Sequence, residues 1–421
     1  MKFKLIYPRW AKLARQTEFH LPPHGPVVFA ASLPDDVEVT FVDENLQDID
    51  FDESVDMVGI SMMLTIQVKR GWQIADHYRK KGICVIFGGI AATLHAEETA
   101  QHADAVFLGE AEGKMDQVFD DFRNNRLQKF YNALEAPPAI ETVGPARRDI
   151  LNKSLYNYRG IQMVDLVHAS RGCRFNCYPC AVAYLGGRQF RPRPVDRAIE
   201  EMAGIDNRRL FLVDNSLAQD TQWEKDLFAE MIPLKKNWCS HPIEDDPAVL
   251  DLAAQAGAWF VYQAVFDTSD YIRERIRRYH DHGIAVEGTI LLGLDRHTED
   301  FIKELVDFLL EIELDLAEFT VLTPFPHTRA WDRLHGENRI FSYDWDDYTA
   351  DKVVYHPKQM SAERLQELLF YAWDTFYADK PQQVRMFELF QKVMRKEKAN
   401  GTIQPRDRNL INQAFGRPVK R

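Results

Sequence analysis

The sequence predicts an α/β protein: two successive strand–helix units followed by a helical C-terminal region. Three patterns predict it. Short apolar runs of strand length alternate with helix-period segments over residues 1–135, and again over 161–350. Prolines and glycines gather in 136–160, from Ala136-Pro137-Pro138 to Gly144-Pro145, which reads as a linker. From 351 to 421 apolar and aromatic residues recur at helical spacing, with no strand pattern. A chain of 421 residues, 45% hydrophobic, is long enough for two domains and a tail.

In the first unit the candidate strands are residues 4–7, 38–42, 57–61, 84–87 and 105–108, with helical patterns at 67–80 and 96–102. Such alternation suits a doubly wound, Rossmann-like parallel sheet, whose ligands sit outside the carboxyl ends of the strands. Three strand ends carry loop chemistry: Ser61-Met62-Met63-Leu64-Thr65, Gly88-Gly89-Ile90-Ala91-Ala92-Thr93 and Gly109-Glu110-Ala111-Glu112-Gly113. Glycines there let a large ligand approach the backbone, although one Gly-Gly after a strand is equally an ordinary turn.

The second unit has candidate strands at 163–168, 210–213, 237–240, 259–265, 286–292 and 318–322. Helical patterns follow at 195–203, 222–232, 247–255, 269–282, 298–314 and 328–334. Three cysteines, Cys173, Cys177 and Cys180, stand just after its first strand, where a β/α site belongs. Thiolates are soft ligands for zinc, copper(I) or iron–sulfur clusters. Three of them can hold three irons of a [4Fe–4S] cube and leave the fourth iron open to a substrate. Zinc normally takes four ligands, so His168 would have to complete such a site; Cys84 and Cys239 are isolated. Three inert thiols are a further reading, which the tight spacing beside Gly172 disfavours.

Other features set bounds. A net charge of −12 gives a nucleic-acid partner no electrostatic support. Asp344, Asp346 and Asp347 read as a solvated loop. No apolar stretch approaches 18 residues, so no membrane span is expected, and the apolar run after Met1 is too short for a signal peptide. Five cysteines with three clustered fit a reducing, cytoplasmic setting. The tail aromatics Phe370, Tyr371, Trp373, Phe376, Tyr377, Phe387 and Phe390 read first as packing. Arg406, Arg408, Arg417, Lys420 and Arg421 read as a solvated terminus.

The Cys-x3-Cys-x2-Cys loop, with Arg171-Gly172 before it, resembles the signature of the radical S-adenosylmethionine (SAM) enzymes. The three loops of the first unit, with Pro22-Pro23-His24-Gly25 and Val42-Asp43-Glu44-Asn45, resemble the cobalamin-binding domain that precedes many of those enzymes. The resemblance implies a cobalamin-binding domain over 1–135, a partial (β/α)6 barrel of the TIM type over 161–350, and the cofactors [4Fe–4S], SAM and cobalamin. It implies Cys173, Cys177 and Cys180 as iron ligands. Ser61, Met62, Met63, Leu64, Thr65, Gly88, Gly89, Ile90, Thr93, Gly109 and Glu110 would surround cobalamin; Tyr178, Asp214, Asn215, Gln263 and Glu287 would lie near SAM. The family pattern is departed from at three points. Pro179 stands where an aromatic residue usually precedes the last cysteine, leaving Tyr178 for the adenine. Gln263-Ala264-Val265 replaces a more polar segment. Pro8-Arg9-Trp10-Ala11-Lys12 lacks the Asp-x-His-x-x-Gly that binds cobalt, and His20 and His24 lack its context, so no histidine ligand is expected.

The activity implied is a C-methyltransferase working through a 5′-deoxyadenosyl radical and methylcobalamin, with a small-molecule substrate and an external flavodoxin- or ferredoxin-type electron donor. The same cofactors without methyl transfer, for ring formation, rearrangement or oxidation, are an alternative, and a non-catalytic cobalamin or redox sensor is a third. The strand-end loops of the first unit are expected to face the cysteine loop across one cavity.

Overall fold

The computed structural model describes residues 1–11, 15, 20–158 and 161–402, the side chains of Tyr158 and Ile161 excepted. The basic terminus from Arg406 lies outside the described residues. A first sheet of six parallel strands comprises β1 (Lys2–Tyr7), β2 (Glu38–Asp43), β3 (Met57–Ser61), β4 (Cys84–Gly88), β5 (Ala105–Leu108) and β6 (Phe130–Asn132), in the order β2-β1-β3-β4-β5-β6. The order reverses at β1 and β3, and such a switch point leaves a crevice at the strand carboxyl ends. Helices α1 (His24–Ala30), α2 (Val68–Lys80), α3 (Ile90–Leu94), α4 (Ala96–His102) and α5 (Met115–Arg123) lie between the strands. Ile74, Ala75 and Tyr78 of α2 pack on one face of the sheet, and Met115, Val118 and Phe119 of α5 on the other. Covering both faces explains why β1 and β3 read as nearly unbroken apolar runs. The exception, Lys4, is fully buried and has its ammonium 2.5 Å from the Asp50 carbonyl and 2.6 Å from Glu53. Strand β6 has three residues, too few for a periodic signal, and escaped the sequence reading.

Within and after the 136–160 stretch, β7 (Asn157–Tyr158) and β8 (Ile161–Gln162) form a short antiparallel ladder. Then come β9 (Asp165–Val167), β10 (Ser170–Arg171), α6 (Val182–Leu185) and β11 (Arg191–Pro192). Next are α7 (Val195–Gly204), β12 (Arg209–Leu212), α8 (Thr221–Met231), β13 (Asn237–Ser240), α9 (Pro247–Gln255), β14 (Ala258–Val265), α10 (Asp270–Asp281), β15 (Ala285–Leu292), α11 (Glu299–Glu311) and β16 (Leu316–Val321). Six of these strands form a second parallel sheet, in the order β16-β15-β14-β13-β12-β9. Every crossover steps in one direction, and right-handed crossovers then place the helices on one face. That face carries the largest apolar core, including Leu227, Leu250, Ile276 and Leu305 from four of the helices. Local chemistry agrees with the elements: Asp246 caps α9 through the amides of Ala248 and Val249, with Pro247 at the first helical position.

The described residues close with α12 (Arg329–Gly336), α13 (Ala362–Phe376) and α14 (Gln382–Ala399). Trp373 donates its indole N–H to the Phe319 carbonyl at 3.1 Å, and Glu397 takes both ends of the buried Arg209 guanidinium at 2.9 and 2.7 Å. Trp373, Phe376 and Phe390 are thus buried as packing, whereas Phe370 and Phe387 are exposed. Between α12 and α13 Asp344 and Asp346 are exposed, as the sequence led one to expect, and pair at the surface with Lys69, Asp346 at 3.1 Å; the residue between them is not solvated. Trp345 is buried against the first sheet's core, donating to Glu98 at 2.9 Å with its ring 4.3 Å from His95. The apolar indole between the aspartates draws this segment back onto the first unit.

Candidate functional site

The cysteine loop leaves the second sheet through a narrow neck. Arg171 of β10 is the register partner of Arg191 of β11, so the chain from 172 to 190 is closed at its base. Gly172 turns the chain with φ +76°, and a Cβ there would meet the Gln189 carbonyl oxygen at 2.1 Å. Asp214, after β12, supports the entry strand: its carboxylate accepts from the Ala169 amide at 3.1 Å, from the Ser170 amide, and from the Ser170 hydroxyl at 2.5 Å. Burial lifts its carboxyl to about 6 in spite of these bonds. Asn215 accepts from the Gly172 amide at 3.1 Å, and Gln219 from the Arg174 amide at 3.0 Å. Beyond these anchors Cys177 and Cys180 are exposed and Cys173 is half-buried. Desolvation raises the Cys180 thiol, and the charges of Cys177 and Cys173 raise it further, so the three sulfurs share one neighbourhood. Among the described residues no three His, Cys, Asp or Glu side chains converge on one point as metal ligands do.

A cavity of about 330 Å³ opens between the two sheets. Its inner part is apolar, with Leu5, Ile60, Ile86 and Phe107 from adjacent strands of the first sheet, and Phe29 and Met115 beside them. Its polar rim combines Ser61, Glu110 and Glu112 from the first unit with Ser170, Arg171 and Asn215 from the second. Gly25 and Gly88 line it and would each carry a Cβ into open space. Gly89, at φ +95°, instead lets the chain pass the Met62 carbonyl, which a Cβ would meet at 2.5 Å. At the seam His24 and His168 share a hydrogen bond of 2.7 Å between Nε2 and Nδ1. Burial, then the Arg148 cation, pushes His24 down to about 3, so the imidazole is neutral at ordinary pH. His168 is therefore bound to His24 and not to the cysteines.

The sequence-predicted residues divide by position. Ser61, Gly88, Gly89, Ile90, Gly109, Glu110 and Asn215 line the cavity. Met63 is 46% and Ile90 44% exposed at neighbouring strand ends, joined by the Ala91 amide on the Met62 carbonyl; Leu64 beside them is half-buried. Met62, Thr65 and Thr93 are buried supports behind this surface. Thr93 bonds the Gly89 carbonyl at 3.0 Å and accepts from the Gly109 amide at 3.2 Å, tying two loops together. The Glu110 carboxylate is held by Arg171 at 2.8 Å and by Arg191, an engagement no sequence pattern announced. Burial raises this carboxyl, but the hydrogen bond from Arg191 and the charge of Arg171 leave it below its ordinary value. Tyr178 packs against the second core and accepts from the Ala330 amide at 3.2 Å.

Two further expected site residues lie on opposite faces of the second sheet. Gln263 pairs in register with Gly288 and shares the alternation of Val261 and Val265, which face the helices. It is thus turned away from the face that carries Tyr262 and Glu287, which are register partners. Glu287 is buried there; burial first, then the charge of Glu318, lifts its carboxyl to about 8. His24, His168, Arg171, Arg191 and Glu112 are the rim and seam residues that sequence reasoning did not assign. Arg171, Glu112 and His24 stood inside quoted motifs and His168 was weighed only as a zinc ligand; Arg191 had no signal.

No protein-family model matches the chain. It is 28% identical to a bacteriochlorophyllide d C-8(2)-methyltransferase of Chlorobaculum tepidum over 375 residues, covering 82% of this chain and 81% of that one. It is 25% identical to the bacteriochlorophyllide d C-12(1)-methyltransferase of the same organism, covering 78% and 77%. Among solved structures it is similar to the radical SAM methyltransferase TsrM from Kitasatospora setae, determined with cobalamin and a [4Fe–4S] cluster bound. There the TM-score is 0.63 at 17% identity, covering 80% of this chain and 75% of that one. By sequence over most of its length the chain is similar to the bacteriochlorophyllide methyltransferases, and by fold to a radical SAM methyltransferase determined with cobalamin bound.

Proposed function

We propose that this chain is a cobalamin-dependent radical SAM C-methyltransferase acting on a small-molecule substrate. One observation carries the reading: the glycine-lined end of the first sheet and the neck of the cysteine loop open onto the same cavity. Its apolar inner slot and the open space beside Gly25 and Gly88 suit the planar base at the nucleotide end of a cobalamin. Three soft thiolates in one anchored loop suit three corners of a [4Fe–4S] cube. When bound, the cluster supplies an electron for reductive cleavage of SAM, and cobalamin carries the methyl group. The chain's own residues hold these groups apart and aligned. Asp214, Asn215 and Gln219 fix the loop backbone, Ser61 and the Gly88–Gly89 turn offer polar contacts and close backbone approach, and the two sheets exclude bulk water.

In this reading residues 1–135 form the cobalamin domain and 136–160 the linker. Residues 161–350 form the partial barrel, whose sequential parallel order suits it, and 351–421 the helical region. A flavodoxin- or ferredoxin-type protein delivers the electron, and the setting is cytoplasmic. Anaerobic reconstitution should load about four irons and four sulfides, and Cys173→Ala, Cys177→Ala and Cys180→Ala together should abolish loading while Cys84→Ala and Cys239→Ala keep it. Bound hydroxocobalamin, reduced to cob(II)alamin, should show no nitrogen superhyperfine splitting, since Pro8-Arg9-Trp10-Ala11-Lys12 lacks the Asp-x-His-x-x-Gly that supplies a cobalt ligand. A single tetrahedral zinc, or a triple variant that retains its cluster, would sink the reading. A substrate that gains one methylene unit separates methylation from rearrangement or oxidation.

A further inference from the structure

The neck of the cysteine loop places two cations face to face. Arg171 and Arg191 are direct register partners in an antiparallel ladder of two residue pairs. Like charges directly opposite each other destabilise such a pair. Both side chains are largely withdrawn from solvent, so salt screens them little. Compensation comes from the other half of the molecule. Glu110, in the loop after β5, accepts Arg171 at 2.8 Å and Arg191 at 3.1 Å on one carboxylate oxygen, and Arg191 again on the other. Glu112 takes the second arm of Arg171 at 2.5 Å. The same loop, with Gly109 and Ala111, lines the cavity.

We infer that Glu110 is a positioning residue: it clasps both strands of the cysteine-loop neck and so couples occupancy of the cavity to the cluster beyond the neck. The inference rests on the cofactor reading above. A cobalamin beside the Gly109–Glu112 turn orders the carboxylate that closes the neck, and a cluster that orders the loop holds the arginines that fix this carboxylate. Each therefore favours the other, and by linkage the effect is reciprocal.

The test measures hydroxocobalamin affinity, without SAM, on cluster-loaded and cluster-free full-length protein. The cluster-free form is made both by chelation of the wild type and by the triple Cys→Ala change. The loaded wild type should bind more tightly by a factor in the usual range of such couplings, about 5- to 150-fold. In Glu110→Gln the ratio of the two affinities should collapse toward one while both forms still bind. A purely structural role would weaken both forms alike and leave the ratio unchanged. Arg191→Met, which breaks the clasp but leaves Glu112 on Arg171, should also collapse the ratio and serves if Glu110→Gln folds poorly. A wild-type ratio of one, or an unchanged ratio in these variants, overturns the inference. Wild type that binds no cobalamin in either form overturns the cofactor reading and this inference with it.

Discussion

Gly172 shows how much can hang on one hydrogen atom. Its φ of +76° and the Gln189 carbonyl 2.1 Å from where a Cβ would sit leave no room for a side chain. Gly172→Ala should cost roughly 1–3 kcal/mol from backbone strain alone. It should also reduce iron per chain on reconstitution, because the neck must shift; full loading with an unchanged melt would contradict this. Arg171-Gly172 entered the sequence reading only as part of the signature; nothing in it announced the carbonyl that forbids a side chain. Glu287 offers a second test at this scale. Its folded-state pKa, about 8, lies above the ordinary 4.5, so the folded protein holds the proton more tightly than the unfolded chain. Its stabilising effect is complete below about 4.5 and is lost as pH rises toward 8. At about 1.4 kcal/mol per unit the loss is at most on the order of 5 kcal/mol. Glu287→Gln should flatten that slope in denaturant titrations from pH 5 to 8.5, and parallel slopes in both proteins would refute the assignment.

Elements long enough to show a period were legible. Strands β3, β5 and β13 and helices α4 and α9 fall where apolar spacing put them, and others shift by one to a few residues at their ends. The short strands β6, β7, β8, β10 and β11 were not, since two or three residues cannot display alternation. Two of those, β10 and β11, form the neck of the candidate site. Helix α13 illustrates an element held by tertiary contact. Trp373 is buried and donates to the Phe319 carbonyl, so Trp373→Ala should cost about 3–5 kcal/mol. Loss of the α9 cap in Asp246→Ala should cost only about 1 kcal/mol. Urea melts of the two variants would reverse this order if α13 were loosely docked.

At the scale of the molecule the two sheets are joined by segments distant in sequence. Trp345 returns from the end of the second unit to the first sheet's core, and His24 meets His168 across 144 residues. Trp345→Ala should destabilise by about 3–5 kcal/mol. It should also separate unfolding into two transitions when circular dichroism and cluster absorbance are followed together, because the halves lose a shared anchor. One coincident transition at the wild-type midpoint would show that the indole does not join them.

The sequence by itself determined the α/β class, the three thiolates after the first strand of the second unit, and the glycine-bearing loops at the ends of the first. Each is local: a period, a spacing or a residue without a Cβ. Only the tertiary structure decided that Glu110 grips Arg171 and Arg191, that Gln263 turns to the helices, and that the acidic Trp345 segment seals the first unit. These depend on which strands become neighbours and which face each residue takes. A charge or an indole carries no record of the partner that will meet it from dozens or hundreds of residues away.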